Sequence, residues 1–387
     1  MGGAGSSKRR LVRHYREPFY TNRMLCTQCQ ATGRSPCMAC APTAEALAKT
    51  LPPKSAGPAR EPEKCLQRRR RPCPIRDSLK RMRLALTLLL LVSSATAQLK
   101  TGPPLPYQVV RNWAQLPPGW NFGETSGVAV DKNDNVWVFN RGPHPVIEFD
   151  KNGKFLRAWN DVPITTAHGI KVAPDGNIWL VDVKGHQIIE FTPEGRVRMV
   201  LGINGKKAGT NETPYGFNEP TAVSFLPNGD FFISDGYQNS RVAKYNREGI
   251  FQFQWGKKGK GDSEFDLVHD VVIDKRGLVY VADRLNERIQ VFEGTGKFVT
   301  KWTNIGAAWG LAYDARQDAM FMCDGVNNRI IKLNMQGQVV GTLSEFGKVE
   351  GKLDFPHHMA VDSSGALYVA EIKNWRVQKF VIPSTKP

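Results

Sequence analysis

Three histidines share one local setting. Ala167-His168-Gly169, Val268-His269-Asp270 and Pro356-His357-His358 each open a short apolar run that is followed by a turn and a second apolar run. Neutral imidazole is a common zinc ligand, and three such nitrogens with a fourth position left open are a recognised arrangement for a catalytic ion. Other transition metals suit the same donors. The chemistry requires the three rings to meet at one point, although they lie far apart in the chain. A lone histidine is more often a surface or core residue than a ligand, so the case rests on what would bring the three together.

The elements that must do so are written as a repeat. From residue 105 onward one unit recurs: apolar alternation, a Pro/Asp/Gly turn, a second alternating run ending in Asp, an Asn-x-Arg element, and an aromatic exit. Copies begin at Ser126, His168, Thr221, His269, Trp309 and His357, spaced by about 40 to 53 residues. That is the period of propeller blades. Runs such as Asn177-Ile-Trp-Leu-Val-Asp182 and Leu278-Val-Tyr-Val-Ala-Asp283 are strand-length and rich in β-branched and aromatic residues, and Asp175-Gly176 and Asn228-Gly229 supply tight turns. The sixth copy stops before an outermost strand, which Tyr107–Trp113 is expected to supply, closing the ring. The reading is all-β: a six-bladed β-propeller of NHL-type repeats.

In such a ring the innermost strands line the axis, and alternate blades stand a third of a turn apart. His168, His269 and His357 fall on blades two, four and six, so they are expected to converge from three sides. Two residues break the repeat on the same face. Blade one has Asn140-Arg141 and blade three has Asp235-Gly236-Tyr237, where other blades continue differently after the Asp. An arginine fork suits a carboxylate, and a tyrosine beside a metal could act as a base; both could equally be loop residues. His144 and His186 read as loop residues, and His358 as a neighbour of the site or of its mouth. The recurrent Asn239/Arg241, Asn286/Arg288 and Asn374/Arg376 pairs are too regular for one active site and read as turn fasteners.

At Val138-Phe-Asn-Arg-Gly-Pro-His144, Ala167-His-Gly169, Ser234-Asp-Gly-Tyr-Gln-Asn-Ser-Arg241, Val268-His-Asp270 and Phe355-Pro-His357 the chain resembles the peptidyl-α-hydroxyglycine α-amidating lyases (peptidylamidoglycolate lyases) over residues 105–383. The resemblance implies a zinc-dependent propeller that cleaves a C-terminal α-hydroxyglycine to an amide and glyoxylate. It assigns His168, His269 and His357 to zinc, Tyr237 to the base and Arg141 to the essential arginine. Three positions depart from the family pattern: Phe355 replaces a methionine, His358 replaces an acidic residue that contributes to a structural calcium site, and Gln238 replaces a disulfide cysteine. These departures put a structural calcium and that disulfide in doubt. The competing reading is a non-enzymatic NHL propeller that binds a protein, peptide or glycan.

The net charge of +17 is unevenly placed. Residues 1–97 hold 19 basic and 5 acidic side chains, leaving 34 and 31 for the remainder, so the propeller is close to neutral and nucleic-acid binding loses its support. Residues 82–97 have the form of a signal peptide: Lys80-Arg-Met-Arg83, an apolar stretch from Leu84 to Val92, and Ala95-Thr-Ala97. Met82 is read as the initiator, residues 1–81 as a mispredicted or disordered basic extension upstream of it, and residues 98–387 as the mature propeller. The pairs Cys26-x-x-Cys29 and Cys37-x-x-Cys40 are an alternative zinc motif in that extension. A secreted or periplasmic monomer without a stable membrane span, acting on a small molecule or peptide, is the expectation. Cys323, in the apolar run Met320–Cys323, is expected to be a buried thiol.

Overall fold

The computed structural model describes residues 99–207 and 210–383. The expected extension 1–81, the signal segment 82–97 and the cleavage before Gln98 lie outside the described residues. Six four-stranded antiparallel sheets follow one another. Their innermost strands are Thr125–Val130, Ala167–Val172, Pro220–Phe225, Val268–Ile273, Ala308–Asp314 and Pro356–Val361. The second strand of each blade is almost wholly buried, as in Val136–Asn140 and Val279–Asp283. Apolar residues on both faces of those strands account for this, because neighbouring blades pack against both sides. Trp137 and Trp159 of blade one, for example, share a cluster with Ile170, Leu180 and Phe191 of blade two. In the sixth sheet the outermost strand is Gln108–Val110, paired antiparallel with Arg376–Val381. Cys323 is fully buried, and burial pushes its thiol well above the ordinary range. Among the described residues no helix is long and apolar enough to cross a membrane.

Hairpins turn where the sequence supplies the conformation. Gly176, at φ +92°, closes a turn by donating its N–H to Ala173 O at 2.9 Å. An added Cβ would meet nothing there, so the backbone angle, not space, calls for glycine.

The Asn-x-Arg elements are fasteners, as their regularity suggested. Arg241 pairs with Asp235 at 3.0 Å and also donates to Thr213 O at 2.8 Å. Arg288 pairs with Asp283 and binds the carbonyls of Lys260, Gly261 and Glu264. Arg376 does the same with Glu371 and the carbonyls of Lys348, Val349 and Lys352. Each guanidinium ties the long loop leading into a blade to the end of that blade's second strand. In blade one Asn140 replaces the acid and receives the N–H groups of Gly123 and Gly142 instead. Arg241 and Asp235 are wholly buried, so removing one strands the other's charge. Arg241→Ala should cost about 3–5 kcal/mol in chemical denaturation; a loss below about 1 kcal/mol would contradict the fastener role.

Candidate metal centre and active site

All six inner strands slip register at one place, the residue that begins each repeat. The slips fall between Thr125 and Gly127, Ala167 and Ile170, Pro220 and Ala222, Val268 and Asp270, Ala308 and Leu311, and Pro356 and Met359. A bulge frees its residue from the ladder and re-aims the side chain. Here it turns Ser126, His168, Thr221, His269, Trp309 and His357 toward the axis.

The three histidines meet. Their ring centroids stand 4.9, 4.7 and 4.8 Å apart, close to an equilateral triangle. One ligand atom from each lies within 4.8 Å of the others, and all three residues are buried. Each Nδ1 is fixed by a backbone carbonyl of the following blade: His168 by Thr221 O at 2.7 Å, His269 by Trp309 O at 3.0 Å and His357 by Ser126 O at 2.7 Å. A carbonyl only accepts, so Nδ1 carries the hydrogen and Nε2 keeps its lone pair. Burial pushes all three pKa values well below the ordinary range; His358 acts in the same direction on each, Arg284 on His168 and His269, and Arg141 on His168. Three neutral, aligned Nε2 donors are what a metal ion needs, and this cluster could hold one.

Tyr237 reaches the same point from the loop after the second strand of blade three. Its hydroxyl lies 3.3 Å from both His168 Nε2 and His269 Nε2. Arg284, which the sequence reading passed over, has Nη1 3.5 Å from that hydroxyl and its guanidinium carbon 3.6 Å from the centre of the Trp309 ring. The signal was available: Arg284 follows Asp283 in blade four as Arg141 follows Asn140 in blade one. Arg141 is anchored to Glu124 at 2.7 Å and to Ala167 O at 3.1 Å, one residue before His168. Glu124 was also not singled out from the sequence.

The remaining histidines divide. His144 stacks on Trp120 and meets Asn160, away from the axis. His186 is buried in its turn and accepts the Glu219 N–H. His358 is the neighbour of the site that the sequence offered, its ring centroid 5.3, 5.6 and 4.6 Å from those of His168, His269 and His357. It lies beyond the histidine layer along the inner strands, with Nδ1 on Ser126 O at 2.9 Å and Nε2 3.9 Å from Asp270 Oδ2, in a cavity also lined by Lys171. Calcium takes six to eight oxygen ligands. Here the acidic position is an imidazole, a lysine shares the cavity, and the Asp270 carboxylate already accepts from Val271 and Leu311 N–H groups. These residues do not fit a calcium site.

A profile of the SMP-30/gluconolactonase/LRE-like region matches residues 169–383. The chain belongs to the SMP-30/gluconolactonase/LRE-like family. NHL repeat-containing protein 3 of Homo sapiens is 32% identical over 299 residues, covering 71% of this chain and 84% of that one. Peptidyl-alpha-hydroxyglycine alpha-amidating lyase 1 of Drosophila melanogaster is 30% identical over 282 residues, covering 66% of this chain but 44% of that one. The chain thus spans less than half of that lyase's length. A solved streptogramin B lyase structure shares the fold at a TM-score of 0.52 and 13% identity, over 71% of this chain and 97% of that one.

The buried imidazoles are expected to make this SMP-30/gluconolactonase/LRE-like propeller acid-sensitive. An unfolded histidine takes a proton near pH 6.5, whereas the buried three resist it. Their contribution to stability is complete above about pH 6.5 and is lost as pH falls below it. Chelator-treated protein should show a falling melting temperature from pH 7 to 5, and His269→Gln should flatten that slope. Equal slopes in the two proteins would contradict the assignment.

Proposed function

We propose that the protein is a secreted, zinc-dependent C–N lyase that splits a C-terminal α-hydroxyglycine, or a related carbinolamide, into an amide and glyoxylate. The observation that carries this reading is the placement of the Tyr237 hydroxyl 3.3 Å from two of three neutral, converging imidazoles. His168, His269 and His357 would hold the zinc, which supplies Lewis acidity toward the substrate hydroxyl when bound. Tyr237 is placed to take the hydroxyl proton. As the C–N bond breaks, its electron pair goes to nitrogen, the carbinol carbon becomes the aldehyde of glyoxylate, and the proton held by Tyr237 passes to the departing amide. Arg141 and Arg284 offer two guanidinium groups for the glycine carboxylate and the charge that develops beside it. The amidating lyases among the relatives support the reaction class.

A second reading, a non-catalytic propeller that binds a protein, peptide or glycan, has its own support. Arg141 is engaged by Glu124, and a substrate carboxylate would have to displace that partner. The NHL repeat-containing relatives also share far more of their length with this chain than the lyase does.

Metal analysis combined with glyoxylate release from α-hydroxyhippurate separates the readings. The lyase reading expects about one zinc per chain, loss of zinc and turnover together in His269→Ala, and retained zinc with turnover lowered about 10²–10⁴-fold in Tyr237→Phe. Zinc without glyoxylate release would reject this substrate class. A chain purified without chelators that contains no metal would reject the enzyme reading.

A further inference from the structure

The axial position in blade five carries a side chain that the ring itself does not require. Ser126, Thr221 and Trp309 occupy equivalent positions in the odd-numbered blades, and each gives its backbone carbonyl to a histidine of the preceding blade. Serine and threonine suffice for that duty in blades one and three. The indole of Trp309 must therefore be explained by what it touches.

It touches a built set of partners. Trp309 is 2% exposed, and the Arg284 guanidinium carbon stands 3.6 Å from the centre of its ring. Phe355 meets it edge to face at 4.3 Å between centroids. On another side lies Gly325, where an added Cβ would come within 2.4 Å of the indole. This glycine has no positive φ to account for it, so the close approach of the indole is its reason. A cation on an aromatic face gains most when the pair is withdrawn from water, and an arginine so held loses less freedom when it binds a planar anion. Phe355, which departs from the amidating-lyase pattern, thereby acquires a role as the brace behind the platform.

We propose that Trp309 is a positioning residue: its indole, braced by Phe355 and fitted against Gly325, holds Arg284 beside Tyr237 as the receptor for a substrate carboxylate. That the carboxylate is a glycine's rests on the lyase reading; the positioning of Arg284 does not, and binding can test it without turnover. The probes are hippurate and its uncharged amide, hippuramide, titrated calorimetrically into zinc-loaded protein. Trp309→Leu should weaken hippurate at least about tenfold and hippuramide less than about threefold, while Trp309→Phe, which keeps an aromatic face, should stay within about threefold for both. Gly325→Ala, which displaces the indole and leaves Arg284 intact, should reproduce the selective loss. The proposal is overturned if wild-type protein does not prefer hippurate to hippuramide, if Trp309→Leu and Gly325→Ala bind hippurate as wild type does, or if acid and amide weaken equally. Failure of the lyase reading shows separately, as absent glyoxylate release from a protein that still discriminates the two probes.

Discussion

The site depends on one hydrogen bond made three times: an imidazole Nδ1–H donated to the backbone carbonyl of the axial residue in the next blade. His168 to Thr221, His269 to Trp309 and His357 to Ser126 link the six blades into three pairs around the axis. The bond fixes the ring orientation, settles the tautomer and leaves Nε2 as the free donor. The bulge shared by the inner strands falls at the residue that supplies each carbonyl. The structural repeat and the chemistry therefore meet at the same residue of each blade.

Burial then acts on those rings in one direction. A protonated imidazole at the axis would lose its hydration and face other imidazoles, with Arg284 adding to this at His168 and His269 and Arg141 at His168, so the neutral form prevails. Three neutral nitrogens packed with no anion among them make a poor proton site and a good metal site. On the side of Tyr237 stands the Arg284 guanidinium, while Arg141 is paired with Glu124. Beyond the histidine layer, His358, Asp270 and Lys171 fill the channel with mixed charge instead of a carboxylate cage. The two sides of the layer thus differ in chemistry although the strands that build them are alike.

Much of this was legible in the sequence because a repeat turns position into geometry. Once Ser126, His168, Thr221, His269, Trp309 and His357 were aligned, the convergence of three of them followed from the angular spacing of the blades. Arg141 and Tyr237 stood out because they broke a pattern. Arg284 broke it too, at the same register as Arg141, but it follows a conventional Asp283 in an otherwise regular blade, so nothing beside it drew the eye. Glu124 and the Trp309–Phe355 contact were not legible, since they join loops and blades whose separation no periodicity encodes. Which of its two readings His358 takes, neighbour of the site or of its mouth, was not legible for a related reason. A bulge puts consecutive residues on the same side of a strand, and simple alternation along Pro356–Val361 does not reveal that.

We propose that His168, His269 and His357 bind one metal ion through Nε2. X-ray absorption spectroscopy on the zinc-loaded chain is the most direct test. Three imidazole nitrogens at about 2.0–2.1 Å with a remaining light-atom ligand are expected, with one imidazole fewer in His357→Ala. A first shell containing sulfur, or one that His357→Ala leaves unchanged, would contradict it.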